Sequence, residues 1–359
     1  MAECILNPAS QDVADFIYRF GSLQNNLRDP EQFPCVDYVS NDYAVFYTEL
    51  ENALPLSLER QPYYSIPSLF TLLDDSAMEA AGIVSALQTP ALSNMGSGVI
   101  IGIVDTGIDY TSPVFRKSDG TTRILGLWDQ TLPEDPSVLP PGVPEYYPMG
   151  GASYGTEFTH EEINEALTLE DPFSLVPSKD TDGHGTFLAG LAAGTAFPLQ
   201  NFTGAAPMAD LAIVKLKPAK KYLRDYYLLS EDTPAFQEND IMMGMDFAVR
   251  IANDRRIPLS LCLGIGSSQG AHIGKNPLSL YVDYISQYSL ISVSVAAGNE
   301  GAARHHYAGR LTERENQALA ELRVGNKEPG FTMEFWGEPP EIYNLSLQSP
   351  TGETLDISA

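Results

Sequence analysis

A carboxylate, an imidazole and an amide stand in three short glycine-containing motifs of this 359-residue chain. Asp105 follows an apolar run and begins Asp-Thr-Gly, His184 lies in Asp-Gly-His-Gly-Thr, and Asn299 lies in Ala-Ala-Gly-Asn-Glu-Gly. A carboxylate can hold a histidine in one tautomer and stabilise its protonated form, so that the histidine acts as a general base and acid. An amide can donate a hydrogen bond to a developing oxyanion. Together the three residues could support acyl transfer.

Each motif also has a structural interpretation when it is taken alone. Asp-Thr-Gly can be a turn that ends a strand or part of a carboxylate dyad, His184 can be a structural residue at a helix start, and Asn299 can belong to an Asn-Gly type of turn. The remaining histidines have no comparable setting and are interpreted as structural or solvent-exposed: His160, His272, His305 and His306. Only the combination of the three motifs therefore indicates a catalytic site.

The elements that must position these motifs form an α/β pattern. Short apolar runs predict strands beginning near Val99, Leu211, Ile257 and Leu290. Helices are predicted between them at His184 to Ala193, Asn239 to Asp254 and Pro277 to Tyr288. Near-continuously apolar strands that alternate with helices indicate a parallel sheet with helices on both faces. Ligands bind such sheets at the carboxyl ends of the strands.

Two regions of different texture flank this sheet. The N-terminal region, 1–75, predicts a small α+β module with a helix from Pro8 to Phe20 and two β runs, Cys35 to Leu50, about a turn at Asn41-Asp42. A further helix is predicted from Leu69 to Leu87, with a linker from Gln88 to Gly98. After the sheet region, 76–305, the segments Phe331 to Gly337 and Ile342 to Pro350 alternate apolar and polar residues, which predicts antiparallel strands in 306–359.

In the order Asp105, His184, Asn299, the motifs resemble those of the subtilisin-like serine proteases, the subtilases of peptidase family S8, from Ser97 to Gly301. The resemblance implies a subtilisin-like fold in which Asp105 orients His184 and Asn299 contributes to the oxyanion hole. It also implies that Cys262, Leu263 and Gly264 pair through their main chain with an extended substrate, and that Ala296 to Gly298 line the pocket before the scissile bond. A cysteine at 262 departs from the family's serine and is interpreted as a small residue packed in a strand.

The family's nucleophile is absent from this sequence, since no Gly-Thr-Ser-x-Ala segment or similar follows Gly301. Three interpretations are open: an N-terminal portion of a longer protease, a natural split with the serine on another chain, or a truncated pseudoprotease that binds or signals. We expect the first, because the chain stops at Ala359 in the middle of a β-type module.

A long insertion between Asp105 and His184, with Trp-Asp-Gln and Tyr-Gly-Thr-Glu-Phe-Thr segments, resembles the clostridial Csp-type subtilases of spore germination. That resemblance implies a processing endopeptidase, although the Csp-type group also includes catalytically inactive members. It implies a propeptide in 1–75, with an ordinary interaction domain as the alternative, and the start of an inserted jelly-roll-like module in 306–359. Propeptide cleavage is bracketed between Pro67 and Met95.

Composition narrows the partners and the compartment. Asp and Glu number 47 against 21 Lys and Arg, a net charge of −26, which disfavours nucleic acid and anionic lipid as partners. Three widely spaced cysteines favour a reducing compartment, and no signal peptide or 18-residue apolar run is present. We expect a cytoplasmic or spore-associated protein that binds a polypeptide substrate and its own propeptide. It requires no cofactor, its metal sites are unknown, and its acidic loops are compatible with bound calcium.

Overall fold

The computed structural model describes residues 6–19, 35–39, 42–72, 95–133, 154–195, 203–299, 303–312, 314–326, 328, 330–337 and 340–358. Its strands are β1 (Val13–Arg19), β2 (Val36–Tyr38), β3 (Tyr43–Glu49), β4 (Leu69–Leu72), β5 (Ile100–Asp105), β6 (Ile124–Asp129), β7 (Thr156–Thr159), β8 (Asp210–Lys215), β9 (Phe236–Gln237), β10 (Leu259–Leu263), β11 (Ile265–Gly266), β12 (Ile291–Val295), β13 (Asn344–Gln348) and β14 (Thr354–Ser358). Its α-helices are α1 (Leu50–Ala53), α2 (His160–Ala166), α3 (His184–Ala193), α4 (Lys221–Tyr226), α5 (Glu238–Arg255) and α6 (Pro277–Ser286). Short 3-10 turns lie at Tyr63–Ser65, Pro113–Phe115 and Pro172–Ser174.

The central sheet has the strand order β12-β10-β5-β8-β6-β7. Its neighbours are parallel except for β7, which pairs antiparallel with β6 at one edge. This arrangement confirms the predicted α/β class with a mostly parallel sheet. The segment treated as an insertion between the aspartate and histidine motifs supplies β6, β7 and α2, so part of it belongs to the sheet itself.

Helices cover both faces of this sheet, as β5 illustrates. Ile100 and Val104 belong to the apolar core shared with α5, whereas Ile101 and Ile103 belong to the core that contains residues of α3. Successive side chains of a strand point to opposite faces, so this division places α3 and α5 on opposite sides of the sheet. All six residues of β5 are buried, including Asp105 at its end.

The predicted helix from Pro8 to Phe20 is wrong, because residues 13–19 form strand β1. This strand pairs antiparallel with β3 along its whole length, and β3 also pairs with β2. Every side chain from Val13 to Ile17 is buried. A helix with one apolar stripe leaves its other side in water, whereas a strand covered on both faces buries all five residues. The two β runs between Cys35 and Leu50 are confirmed as β2 and β3, and Asn41 of the predicted turn lies outside the described residues.

The predicted helix from Leu69 to Leu87 is wrong in the part that is described. Leu69–Leu72 forms strand β4, which pairs antiparallel with β9 on one side and β11 on the other. Main-chain partners on both sides favour the extended backbone over a helix. Residues 73–94, which include most of that predicted helix and of the linker, lie outside the described residues.

The C-terminal region contains a hairpin of β13 and β14, which confirms antiparallel pairing within Ile342 to Pro350. No strand is described at 331–337, where the alternating pattern predicted one. Here the contacts run to the N-terminal module: the Trp336 ring lies 5.0 Å from the Tyr63 ring, and Glu334 accepts a hydrogen bond from the Tyr63 hydroxyl at 2.7 Å. Side chains held in this way replace pairing with a neighbouring strand.

The N-terminal module joins the sheet region through a buried ion pair as well as through apolar contacts. Asp15 of β1 and Lys220 before α4 are each 1% exposed, and their charged groups lie 2.8 Å apart. The Lys220 ammonium also donates to the carbonyl of Val13, and Gln237 donates to Asp15. Burial lowers the pKa of Lys220, whereas the Asp15 carboxylate acts against that effect. The pair therefore holds two charges that neither region could bury alone.

Two further features concern the described chain as a whole. Cys35 is disulfide-bonded, which the wide cysteine spacing did not predict, whereas Cys262 is in the reduced form. Among the helices described, none has the length and apolar character needed to cross a membrane.

Replacing Asp15 with Ala should destabilise the protein by about 3–5 kcal/mol, because the Lys220 charge would stay buried without its partner. Urea unfolding at pH 7 measures this difference. Asp12→Ala is the matched control, since Asp12 is exposed and lies three residues before Asp15, and it should change stability by less than about 0.5 kcal/mol. Equal unfolding midpoints for the two variants would contradict the prediction.

Asp246 of α5 should make stability depend on pH. Burial raises its pKa from 3.8 to about 7, although the Arg250 guanidinium acts in the opposite direction. A carboxyl whose pKa is raised on folding opposes folding as it ionises, so its cost is absent below about pH 4 and complete above about pH 7. The cost is on the order of 4 kcal/mol. Asp246→Asn should therefore gain stability relative to wild type as pH rises across this window.

Unfolding titrations at pH 4, 5.5 and 7.5 measure that gain. The exposed Asp254 of the same helix provides the control variant Asp254→Asn, which should show no growing advantage. A constant difference between Asp246→Asn and wild type at all three pH values would show that this carboxyl does not titrate in the window.

Candidate active site

Asp105 ends the central strand β5, where the sheet region is most deeply buried. Its side chain is fully buried, and its Oδ1 accepts a hydrogen bond from the Thr106 main-chain N–H at 2.8 Å. Within the described part of the chain, its Oδ2 is buried without a hydrogen-bond partner. A buried carboxylate is stabilised by a neighbour that donates a hydrogen bond to it.

His184 is that neighbour and begins helix α3. Its Nδ1 lies 2.7 Å from Asp105 Oδ1, and its side chain is 15% exposed. An ionised carboxylate can only accept a hydrogen bond, so the contact places the ring proton on Nδ1 and leaves the acid-base chemistry to Nε2. The structure thus brings two of the predicted site residues into direct contact across 79 residues of sequence.

This contact depends on a close approach between two glycine turns. Gly107, after Asp105, has φ of +113°, which side chains other than glycine rarely adopt. Gly185, after His184, lies so near to Gly107 that a Cβ at 185 would stand 2.3 Å from the Gly107 carbonyl oxygen. Two residues with side chains could not occupy these positions at this separation. The glycines of the two motifs therefore set the distance between the carboxylate and the imidazole.

The other predicted site residues lie along the same edge of the sheet. β5, β10 and β12 are parallel neighbours, so their carboxyl ends are adjacent. Gly264 follows β10, and a Cβ placed on it would be 3.3 Å from His184 Cε1. Ala296, Gly298 and Asn299 follow β12 and are exposed, and among the described contacts none joins Asn299 to Asp105 or His184.

An extended strand, β4, pairs with the chain directly after Gly264, the glycine that approaches His184. β4 is the middle strand of a separate three-stranded sheet, with Leu69 and Phe70 opposite β9 and with Thr71 and Leu72 opposite β11. Because β11 is antiparallel to β4, and because Gly264 precedes β11, the C-terminal end of β4 is the end nearer to His184. β9 and β11 therefore pair with an extended chain on both of its sides, and the main chain supplies these bonds.

The main-chain groups that make this pairing are those of Ile265 and Gly266, which sequence reasoning did not single out. Cys262 and Leu263 lie in β10, where Cys262 is opposite Ile103 of β5 and Ser294 of β12. Their main chain belongs to the central sheet. The signal that could have found the pairing residues is the Gly-Ile-Gly sequence directly after the apolar run, where a chain can leave one sheet and join another.

Polar side chains fix the start of β4. The buried Glu238 accepts hydrogen bonds from the main-chain N–H groups of Ser68 and Leu278, and Gln269 accepts one from that of Leu69. Burial raises the pKa of Glu238, while these hydrogen bonds act against the rise. Residues from α5 and from the loop after β11 thus hold strand β4 in place.

The remaining histidines lie apart from the Asp105–His184 contact. His160 Nδ1 lies 2.8 Å from the carbonyl oxygen of Ile124, and the exposed rings of His272 and His306 stack at 4.8 Å. Across the ranges that the structure describes, no group of three or more His, Cys, Asp or Glu side chains is arranged to hold a metal ion.

Gly185→Ala should break the approach of the two turns and destabilise the protein by at least about 1–3 kcal/mol, since its Cβ would overlap the Gly107 carbonyl. Thermal unfolding followed by circular dichroism measures the loss. Gly190→Ala in the same helix is the control: its Cβ would meet nothing within 4 Å, and alanine favours a helix over glycine by roughly 0.5–1 kcal/mol. A wild-type melting temperature for Gly185→Ala would show that the turns can separate freely.

Comparison with known proteins agrees with this geometry. Residues 96–325 match the sequence model of the subtilase family, peptidase S8. Subtilisin-like protease SBT3.6 of Arabidopsis thaliana is 28% identical over 180 residues, which are 48% of this chain and 21% of the relative. Subtilisin-like protease SBT3 of Solanum lycopersicum is 26% identical over 299 residues, 73% of this chain and 34% of the relative.

Among solved structures, the CspB protease of Clostridium perfringens is 29% identical, with a TM-score of 0.51 over 64% of this chain and 42% of that one. The chain thus spans about a fifth to a third of these plant relatives and less than half of the bacterial protease. The family match covers more than half of the chain, including both Asp105 and His184. The chain belongs to the subtilase family of serine proteases.

Proposed function

We propose that this chain supplies the acid-base half and the substrate-binding strands of a serine endopeptidase whose nucleophile lies outside these 359 residues. One observation carries the proposal: the 2.7 Å contact between His184 and Asp105 stands beside a cleft that holds an extended strand. An acid-base pair and a strand-binding surface are two of the parts that peptide hydrolysis requires, together with a nucleophile and an oxyanion hole.

In this proposal His184 takes the proton from the serine hydroxyl as that oxygen attacks the scissile carbonyl, and then gives it to the leaving amine. Asp105 holds the ring orientation and stabilises the imidazolium. Asn299 donates its amide to the oxyanion, and Ala296 and Gly298 form a wall of the pocket for the residue before the scissile bond. The catalytic roles of these residues follow from the family resemblance, and the Asp105–His184 geometry supports the first two.

The strand in the cleft supports a second part of the proposal, in which the N-terminal module acts as a propeptide that occupies the site. β4 belongs to this chain and lies where a peptide substrate would pair. Since the C-terminal end of β4 is the end nearer to His184, cleavage should fall after Leu72. The predicted cleavage interval, Pro67 to Met95, thereby becomes Leu72 to Met95. The CspB protease resembles this chain in its fold. We include in the proposal that the full protein is a processing protease with a role in spore germination, in a cytoplasmic or spore-associated setting.

The test begins with the gene beyond the codon for Ala359, followed by expression of the full product. We expect a serine-containing continuation that releases the N-terminal module, with the new terminus after Leu72 by mass spectrometry. His184→Ala should lower peptide hydrolysis by at least about 10⁴-fold, because the nucleophile loses its base. His272→Ala, at an exposed histidine away from the Asp105 contact, should keep wild-type activity.

A stop codon with no serine on any co-expressed partner would favour the pseudoprotease, which binds or signals without hydrolysis. Activity of the 359-residue chain by itself that disappears in His184→Ala would overturn the proposal in another way, since it would require a nucleophile within this sequence.

A further inference from the structure

Asp180 lies outside both the histidine motif and the aspartate motif but touches each of them. Its Oδ1 accepts hydrogen bonds from the Thr106 hydroxyl at 2.9 Å and from the Gly183 N–H at 2.8 Å. Its Oδ2 accepts bonds from the N–H of Thr186 at 2.9 Å and from the hydroxyl of Thr186 at 2.6 Å. The Asp182 N–H adds a longer bond of 3.2 Å. One carboxylate thus collects donors from the end of β5 and from the first turn of α3.

The two threonine hydroxyls extend this contact in the reverse direction. The Thr106 hydroxyl accepts a hydrogen bond from the Gly185 N–H at 2.8 Å, and the Thr186 hydroxyl accepts one from the Asp109 N–H at 2.8 Å. Each hydroxyl donates its one proton to Asp180 and accepts a second bond elsewhere, so its orientation is fixed. The loop after Asp105 and the turn that begins with His184 are therefore joined by these two direct bonds and, through both hydroxyls, by Asp180.

The carboxylate is suited to this position because it stands at the N-terminus of helix α3, where free N–H groups favour negative charge. Burial by itself would raise the pKa of Asp180, but the bonds from Thr186, Gly183 and Thr106 outweigh it and hold the pKa below its usual value. Asp180 is thus ionised and accepts all of its hydrogen bonds at neutral pH.

We propose that Asp180 is a positioning residue of the active site, which sets the distance between Asp105 and His184 by joining the two segments that carry them. It contacts neither the reacting atoms nor the imidazole in the described structure, so its effect passes through Thr106, Gly183 and Thr186. This inference rests on the proposed function, in which the Asp105–His184 contact prepares the general base. Without Asp180, the helix start loses this acceptor, and the two threonine hydroxyls that join the segments lose the partner that orients them.

The experiment observes the Asp105–His184 hydrogen bond directly by proton NMR on the 359-residue chain labelled with ¹⁵N-histidine. The proton on His184 Nδ1 should give a strongly deshielded signal at pH 7, assigned by its loss in His184→Ala. In Asp180→Asn this signal should disappear or exchange with water at least about tenfold faster, because an amide nitrogen cannot accept the bonds that the carboxylate oxygen accepts.

Asp119→Asn is a matched control for the same chemical change. Asp119 accepts bonds from the N–H and the hydroxyl of Thr121, the pattern that Asp180 has with Thr186, but it lies in an exposed turn. It should leave the His184 signal and its exchange rate unchanged. Thr106→Val and Thr106→Ser form a second pair: the valine should reproduce the effect of Asp180→Asn, whereas the serine keeps the hydroxyl and should keep the signal.

A residue with a purely structural role would lower the melting temperature without altering the signal of the folded molecules. An unchanged signal and exchange rate in folded Asp180→Asn would therefore overturn the proposal. If that variant does not fold, the Thr106 pair decides alone, and equal signals in valine and serine variants would overturn it. No nucleophile is needed for this measurement, so an inactive full-length protein with an intact His184 signal would count against the proposed function and not against Asp180.

Discussion

The hydrogen bond between Asp105 and His184 is the interaction on which the arrangement of the site depends. It joins the end of a strand in the middle of the sheet to the start of a helix on one face. Such a bond forms only if both elements end at the same place and approach closely, and here Gly107 and Gly185 allow the approach while Asp180 holds it. The apolar packing of β5 against α3 therefore has a chemical consequence, because it delivers a carboxylate and an imidazole at hydrogen-bond distance in a partly dry environment.

The N-terminal module is part of the same packing problem. Val13 and Ile17 of β1 belong to one core with residues of α5 and α6, and Asp15 compensates the buried charge of Lys220. Removing the module would expose apolar surface and leave that ammonium without its carboxylate. The module is thus held by its own burial, independently of the strand β4 that occupies the cleft. This division explains how a short strand can stay paired beside the site: Leu69 and Phe70 are buried in the apolar core, and the rest of the module is fixed by its own contacts.

The parts of this structure that could be predicted from sequence are those whose signal is local. The apolar runs of the central sheet and the glycine-flanked Asp105 and His184 are legible because their neighbours in sequence define them. The predicted helix at Pro8 to Phe20 was wrong because it relied on the helical spacing of apolar residues such as Val13 and Ile17, whereas a contact from Asp15 to Lys220, 205 residues away, has no local signal. The helix predicted from Leu69 was wrong for the same reason, since the residues that pair with β4, Phe236 and Ile265, are distant in sequence. Asp180 was missed because it accepts hydrogen bonds from two segments that are separate in sequence.

The Asp105–His184 side of the site is held in place by contacts within this chain, whereas the side at the end of β12 is exposed. Asp105 and His184 are 0% and 15% exposed and are fixed by the bonds around Asp180. Ala296, Gly298 and Asn299 are exposed at the end of β12, which in the described part of the chain pairs with β10 alone. Preorganised dipoles stabilise a transition state only if they do not have to reorient during the reaction. The acid-base side meets this condition within the chain. In the proposed function, the oxyanion side would meet it if further protein packed against β12, so the element that brings the nucleophile would also have to order the amide of Asn299.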